Sequence, residues 1–177
     1  MRRFLFGIAA SAAIALSTSA QAQDDFEQRF YARVWDWQVR KLKTANAGCH
    51  TYRSTPAGNL YGMTYGQNRA AMLSFTLPNV VTKGRTTREL EIRFVGGAAA
   101  REQTWGKHDF NAVELESGGT IYLSGLVAVN ILDAFAASSA LRVYADGQLF
   151  AALPLDGAGP AIAKLRECAA AVAASTR

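Results

Sequence analysis

The sequence predicts a mainly β fold of the α+β class: an antiparallel β-sandwich or a strongly curved sheet, with a short helix and a C-terminal helix packed on it. Apolar and polar residues alternate in several short segments, most clearly in residues 88–94. Asp146-Gly147 separates two further alternating segments, as a tight hairpin turn does. Residues 160–174 instead repeat their apolar positions at helical spacing. Many strands followed by an amphipathic helix favour an antiparallel sheet with helices at one edge.

The chain begins with the pattern of a secretory signal peptide. Arg2 and Arg3 precede an apolar run over residues 4–16, and Ala20-Gln21-Ala22 has the form of a small-x-small cleavage site. We therefore expect residues 1–22 to be a signal peptide that is removed after Ala22. The mature protein is then predicted to work in the periplasm.

Cleavage at that point would leave 155 of the 177 residues, enough for one domain with a buried core. We expect residues 23–32 to form a lead-in segment and residues 33–177 to form a single β-rich domain. The mature chain would carry 17 Lys and Arg against 14 Asp and Glu, an excess too small to predict nucleic-acid binding. No run of about 18 apolar residues occurs after residue 22, so no transmembrane anchor is predicted after cleavage.

The clearest predicted strands have one apolar and one polar face. In residues 33–40, Trp35, Trp37 and Val39 would share a face, which favours the two tryptophans as packing anchors over a ligand platform. The other predicted strands are residues 60–65, 71–77, 88–94, 110–115, 120–123, 141–144 and 149–153.

Two helices and one irregular segment complete the predicted elements. Residues 125–137 are apolar without a period of two, which predicts a short helix. The C-terminal helix over residues 160–174 begins with a proline, a residue suited to a first helical turn. Residues 98–109 are predicted to be irregular and polar.

Cys49 and Cys168 are the only cysteines, and an exported chain with two cysteines most simply forms one disulfide. Cys168 flanks the apolar stripe of the C-terminal helix, so the bridge would tie this helix to the end of the first long strand. The alternative is two separate buried thiols. No metal site is predicted, because these cysteines and the two histidines, His50 and His108, lack the usual ligand spacing.

No group of residues has a clear catalytic pattern. His108 and Asp109 are neighbours, so on an extended chain they point to opposite sides and Asp109 is poorly placed to orient the imidazole. His50 follows Cys49, but a nucleophilic thiolate requires a reduced cysteine. We therefore predict a protein without enzymatic activity and without a cofactor.

Two pairs of carboxylates have the spacing of paired acids on one strand face. They are Glu89 with Glu91 and Glu114 with Glu116. The alternation of their strands places both pairs on the face that is exposed to water, which favours an ordinary solvated surface.

Basic and tyrosine side chains suggest a binding face. Two short basic groups, with tyrosines near them in sequence, could contact an anionic glycan, a lipid headgroup or an acidic partner. The predicted binding residues are Arg40, Lys41, Lys43, Tyr52, Tyr61, Tyr65, Lys83, Arg85 and Arg88. The alternative is that they belong to ordinary solvated loops and strand edges.

Both ends of the domain resemble one family of exported proteins. Trp37-Gln38-Val39, followed by Gly48-Cys49, resembles the opening of the invasion-associated locus B family and related small exported proteins of Gram-negative bacteria. Residues 153–162 resemble the "L-x-G-x-x-x-A" segment that enters the last helix of these proteins. The resemblance implies a periplasmic β-rich domain, and it carries over no catalytic residue.

Together these observations predict a periplasmic, non-enzymatic binding protein whose partner is a protein or an anionic component of the cell envelope. Two alternatives stay open. One is an immunity or inhibitor protein that blocks a secreted toxin or hydrolase, with residues 98–109 as the inserted loop. The other is a cell-envelope hydrolase whose active site has no recognisable motif.

Overall fold

The alternating segments form one open antiparallel sheet in the computed structural model, which describes residues 28–43, 48–66, 70–96, 101–125 and 130–175. The predicted fold class, mainly antiparallel β with a short helix and a C-terminal helix, is confirmed. The predicted signal peptide and its cleavage site lie outside the described residues.

Ten strands and two helices occur in the described residues. The strands are β1 (Gln28–Val34), β2 (Trp37–Leu42), β3 (Cys49–Ser54), β4 (Leu60–Tyr65), β5 (Ala71–Leu77), β6 (Arg85–Gly96), β7 (Arg101–Glu114), β8 (Thr120–Ser124), β9 (Ser138–Ala145) and β10 (Gln148–Pro154). The helices are α1 (Ile131–Ala137) and α2 (Ala158–Ser175). The order across the sheet is β1-β2-β3-β4-β5-β8-β7-β6-β9-β10, so β1 and β10 are its edges. Neither helix is long and apolar enough to cross a membrane.

Alternation along the strands gives the sheet a buried inner face and a more polar outer face. On β6, for example, Leu90 and Ile92 are fully buried in the core. Both helices pack on the inner face, where α2 contacts β1 to β4 and α1 contacts α2, β6 and β9. The ring of Phe135 in α1 makes edge contacts with Trp37 and with Phe94. These contacts join the two halves of the sheet through one core.

The C-terminal helix is tied to the sheet by the predicted disulfide. Ile162, Leu165 and Val172 of α2 are buried along the predicted apolar stripe. Cys168 lies on the same side of the helix and is bonded to Cys49 of β3, with the two Cα atoms 6.1 Å apart. The predicted pairing is therefore confirmed, but the bridge connects α2 to the start of β3, a strand that the sequence did not predict, and not to the end of the first long strand.

The predicted hairpin between β9 and β10 is confirmed. Asp146 and Gly147 have φ values of 52° and 77°, the positive values that a type I′ turn requires at both central positions. The predicted short helix is present as α1. Residues 126–129 of its predicted span lie outside the described residues.

The prediction of one continuous strand over residues 33–40 is wrong. Val34 pairs with Trp37 across a two-residue turn made by Trp35 and Asp36, so the segment is the hairpin between β1 and β2. Trp35 is exposed and Trp37 is fully buried, and the two tryptophans do not share a face. Ala32 and Val34, before the turn, pack partly against the core, and Trp37 and Val39, after it, are fully buried, so the inward-facing positions change from even to odd numbers at the turn. Trp35 has an odd number, as do the buried positions after the turn, and this coincidence made the segment resemble one strand.

The prediction of an irregular segment over residues 98–109 is also wrong for its described part. Strand β7 starts at Arg101 and pairs with β6 along its length. The register shifts between Ile92 and Arg93 of β6, where Trp105 is the unpaired residue of β7. Such a bulge interrupts the alternation and hides the strand in the sequence. Strand β3 is likewise missing from the predicted strands.

Candidate functional site on the outer face of β2, β3 and β4

The predicted binding residues lie in different parts of the fold. Arg40 and Tyr52 are neighbours on the outer face, with the Arg40 guanidinium 5.5 Å from the centroid of the Tyr52 ring. Lys41 lies on the inner face, with its Nζ 5.4 Å from the centroid of the Tyr31 ring. Lys43 follows the end of β2 and is exposed. Because neighbours on a strand point to opposite faces, this basic run does not form one surface.

Two tyrosines of the prediction face the core. Tyr61 is 1% exposed, and its hydroxyl donates a hydrogen bond to the Pro154 carbonyl. Burial raises the pKa of Tyr61 to about 12. Tyr65 is opposite Cys49 in the register of β3 and β4 and packs against the core. Neither side chain lies on the outer face beside Arg40.

The second basic group of the prediction lies in the other half of the sheet. Lys83 precedes β6, Arg85 begins it, and both are exposed. The guanidinium of Arg88 lies 4.7 Å from the centroid of the Phe150 ring and 3.7 Å from Asp146. Strands β5, β8 and β7 separate β6 from β4, so the two basic groups are not one site.

Five polar side chains form a connected group on the outer face of β2, β3 and β4. We call this group the Arg40 cluster, and its members are Gln38, Arg40, His50, Tyr52 and Thr64. The strand register brings them together: Arg40 is opposite His50, His50 is opposite Thr64, and Gln38 is opposite Tyr52. The sequence prediction contained only two of the five, Arg40 and Tyr52.

Hydrogen bonds hold the Arg40 cluster in a defined geometry. The side-chain oxygen of Gln38 accepts from Arg40 Nη2 at 3.0 Å and from the Tyr52 hydroxyl at 2.9 Å. The Nδ1 atom of His50 lies 2.8 Å from the Thr64 hydroxyl, and the His50 ring lies 5.5 Å from the Tyr52 ring. A ligand would therefore meet side chains that are already positioned.

Arg40 is a half-buried cation with no counter-ion among the residues that the structure describes. Within the described parts of the chain, no carboxylate lies within ion-pair distance of its guanidinium. Its Nε atom is inaccessible to solvent and has no hydrogen-bond acceptor in the described parts of the chain. Burial, together with the charge of Arg40, lowers the pKa of His50 to about 4, so this imidazole is neutral near pH 7. Charges removed from water are normally paired, which makes this site unusual.

In a second polar group on the outer face, the arginines are paired with carboxylates. Arg93 donates to Glu91 at 2.8 Å and to Glu102 at 3.1 Å. Arg142 and Tyr144 also donate to Glu102. The hydrogen bond from Arg142 is the largest of the effects that hold the pKa of Glu102 below its usual value. Both arginines of this group have carboxylate partners, whereas Arg40 has none in residues 28–43, 48–66, 70–96, 101–125 and 130–175.

The charge imbalance around Arg40 extends along the first part of the chain. Residues 28–77, which run from β1 to β5, contain seven Lys and Arg and a single acidic residue, Asp36. Residues 78–177 contain ten Lys and Arg and ten Asp and Glu. The small excess of basic over acidic residues in the whole chain hides this difference. Counting charges by segment would have indicated that β1 to β5 suit an anionic partner.

The residues considered for catalysis are not arranged for it. Cys49 is bonded to Cys168, so the residue beside His50 provides no thiolate. His108 and Asp109 occupy successive positions of β7 and therefore lie on opposite faces.

The first pair of carboxylates, Glu89 and Glu91, is already hydrogen-bonded to cationic side chains. Glu89 accepts a hydrogen bond from Lys107 at 2.9 Å, and Glu91 accepts one from Arg93 at 2.8 Å. The second pair is exposed at the end of β7 and just beyond it. Among the residues that the structure describes, no group of three or more His, Cys, Asp or Glu could hold a metal ion.

No protein-family model, curated protein or solved structure matches this chain significantly.

Proposed function

We propose that this protein is an exported, non-enzymatic binding protein of the periplasm, which holds an anionic group of a cell-envelope component on the Arg40 cluster. The observation that carries the proposal is the half-buried guanidinium of Arg40, which has no carboxylate partner among the described residues. A charge that is partly removed from water is destabilised unless an opposite charge compensates it. An anionic ligand would supply this compensation.

The groups around Arg40 suit a carboxylate or a phosphate. A guanidinium can bind either anion through two parallel hydrogen bonds. The Thr64 hydroxyl lies in the same cluster and can donate to an anion's oxygen when His50 Nδ1–H donates to Thr64, whereas the hydroxyl of Tyr52 already donates to Gln38. Phe30 is opposite Arg40 in the register of β1 and β2 and is 63% exposed, which places apolar surface beside the cation.

Three features support export to the periplasm. The pattern of residues 1–22 is that of a signal peptide. The Cys49–Cys168 disulfide is typical of an oxidising compartment. The resemblance of the chain's ends to the invasion-associated locus B family leads to the same expectation.

Replacing Arg40 by glutamine tests the proposed site. We expect Arg40→Gln to bind its envelope component about tenfold more weakly or worse, because a hydrogen bond to a charged group contributes about 1.5–3 kcal/mol. The measurement is co-sedimentation of the exported protein with purified peptidoglycan, which offers carboxylates, and with lipopolysaccharide aggregates, which offer phosphates. Comparing the two identifies the anion that is bound.

The matched control is Arg166→Gln. Arg166 lies on α2, is exposed, and pairs with Asp133 at 2.6 Å, so this variant changes the net charge equally but leaves the Arg40 cluster intact. Equal losses in both variants would mean that net charge alone drives binding, and the proposal would be wrong. Recovery of one stoichiometric protein from a periplasmic extract, unaffected by Arg40→Gln, would favour the inhibitor alternative instead.

A further inference from the structure

Trp35 occupies a position in the β1–β2 turn that is unfavourable for a tryptophan. Its φ is 53°, in the left-handed region where a side chain crowds the backbone and glycine is usual. The side chain is 71% exposed, so burial in the core does not compensate for this conformation. A strained residue that remains exposed points to a role other than folding.

The indole of Trp35 is held against the segment that precedes α2. A Cβ atom on Gly157 would lie 2.7 Å from Trp35 Cε3, so the ring lies directly beside the Gly157 backbone. Arg33 Nε donates to the Trp35 carbonyl at 3.1 Å, and Trp37 Nε1 donates to the Asp156 carbonyl at 2.8 Å. One side of the indole is thus supported by fixed backbone, and the rest of its surface is open to solvent.

The residue that follows Trp35, Asp36, and the residue that precedes Gly157, Asp156, carry carboxylates that share Arg53 as their partner. Arg53 Nη2 is 3.5 Å from Asp36 Oδ2, and Arg53 Nη1 is 4.0 Å from Asp156 Oδ2. Both carboxylates are largely exposed. Burying them in a lipid bilayer or a dry protein interface would be costly. They suit instead a hydrated ligand that carries many hydroxyl groups.

We propose that Trp35 is the stacking platform of a carbohydrate-binding site, in which a pyranose ring lies on the exposed side of the indole. The C–H groups on one face of a sugar ring are slightly positive and complement the negative face of the indole. Asp36 and Asp156 would accept hydrogen bonds from hydroxyls, and Arg53 would donate one. This site does not depend on the Arg40 cluster, so it can be tested separately.

The test is a titration of the isotope-labelled exported protein with two probes, the β-1,4-linked tetrasaccharides of N-acetylglucosamine and of glucose. The indole N–H resonances are followed by NMR. We expect the Trp35 resonance to shift with a millimolar or lower Kd for at least one probe, and the resonances of Trp37 and Trp105 to shift less. Trp35→Gly should weaken binding about tenfold or more. Its urea midpoint should change little, because the strain that glycine relieves at this φ offsets the lost contact with Gly157 and the greater freedom of glycine in the unfolded chain.

Two further variants make the result decisive. Trp35→Phe keeps a smaller aromatic surface and should bind with intermediate affinity. Leu149→Ala removes another exposed apolar side chain, in β10, and should bind as the unmodified protein does. The proposal is overturned if neither probe shifts the Trp35 resonance, or if Trp35→Gly binds normally. A clear loss of stability in Trp35→Gly would also overturn it, because Trp35 would then serve the fold.

Discussion

Loss of the Cys49–Cys168 disulfide is expected to lower the free energy of unfolding by about 4–5 kcal/mol. The two cysteines are 119 residues apart in sequence, so the bridge closes a loop that contains most of the domain. In the chain-entropy account, closing so long a loop removes much of the freedom of the unfolded chain. The folded protein should therefore lose a large part of its stability when the bridge is removed, because single domains are stable by only about 5–15 kcal/mol.

Urea unfolding of two forms separates the crosslink from the packing of its sulfur atoms. The first form is the reduced protein with both thiols retained, and the second is the double variant Cys49→Ala/Cys168→Ala. Both cysteines are fully buried, so the alanine variant should also lose some packing and be the less stable of the two. Before reduction, the mass of the exported protein should be about two hydrogens lower than afterwards. Labelling of two free thiols in the native exported protein would contradict the bridge.

Reduction should also act locally, on the docking of α2. This helix contacts β1 to β4, and Cys168 lies in its second half. Amide hydrogen exchange in the second half of α2 should therefore rise more on reduction than exchange in β6 and β7, which pair with each other along their length. A uniform rise across the sheet and helix would show that the bridge stabilises the domain only through the unfolded state.

The elements that the sequence predicts well are those whose signals are local. The alternation of Leu90 and Ile92 with charged residues identifies β6, and Asp146-Gly147 identifies the hairpin of β9 and β10. The apolar stripe of α2 and the two cysteines similarly lead to the helix and its bridge. In each case a few neighbouring residues contain the necessary information, because period and turn chemistry are properties of short segments.

The features that the sequence does not predict depend on pairing between distant segments. Strand β8 lies between β5 and β7, and nothing in its own residues indicates these neighbours. The Arg40 cluster combines residues of three strands, and a shift of one residue in either register would move its side chains to the inner face. The turn at Trp35 escapes prediction for another reason: a tryptophan replaces the glycine that usually marks such a position.

Acidification is expected to destabilise the protein through His50. The pKa of His50 is lowered to about 4 by burial and by the charge of Arg40, whereas an unfolded histidine titrates near 6.5. Between these two values the unfolded chain binds a proton that the folded chain does not. The free energy of unfolding should therefore fall as the pH drops from 6.5 to 4, by about 3 kcal/mol from this residue alone. Above pH 6.5 this contribution should be constant.

The comparison with His50→Gln isolates this effect, because glutamine can still hydrogen-bond to Thr64 but does not titrate. Urea unfolding gives the free energy of unfolding at each pH. Between pH 4 and 6.5 this free energy should rise with pH in the unmodified protein, and the rise should be absent or much smaller in the variant. Parallel slopes would show that other groups cause the acid sensitivity. A bound anion would oppose the charge of Arg40 and raise the pKa of His50. The imidazole resonances should therefore titrate at a higher pH when the envelope component occupies the Arg40 cluster, which links the pH response to the proposed binding site.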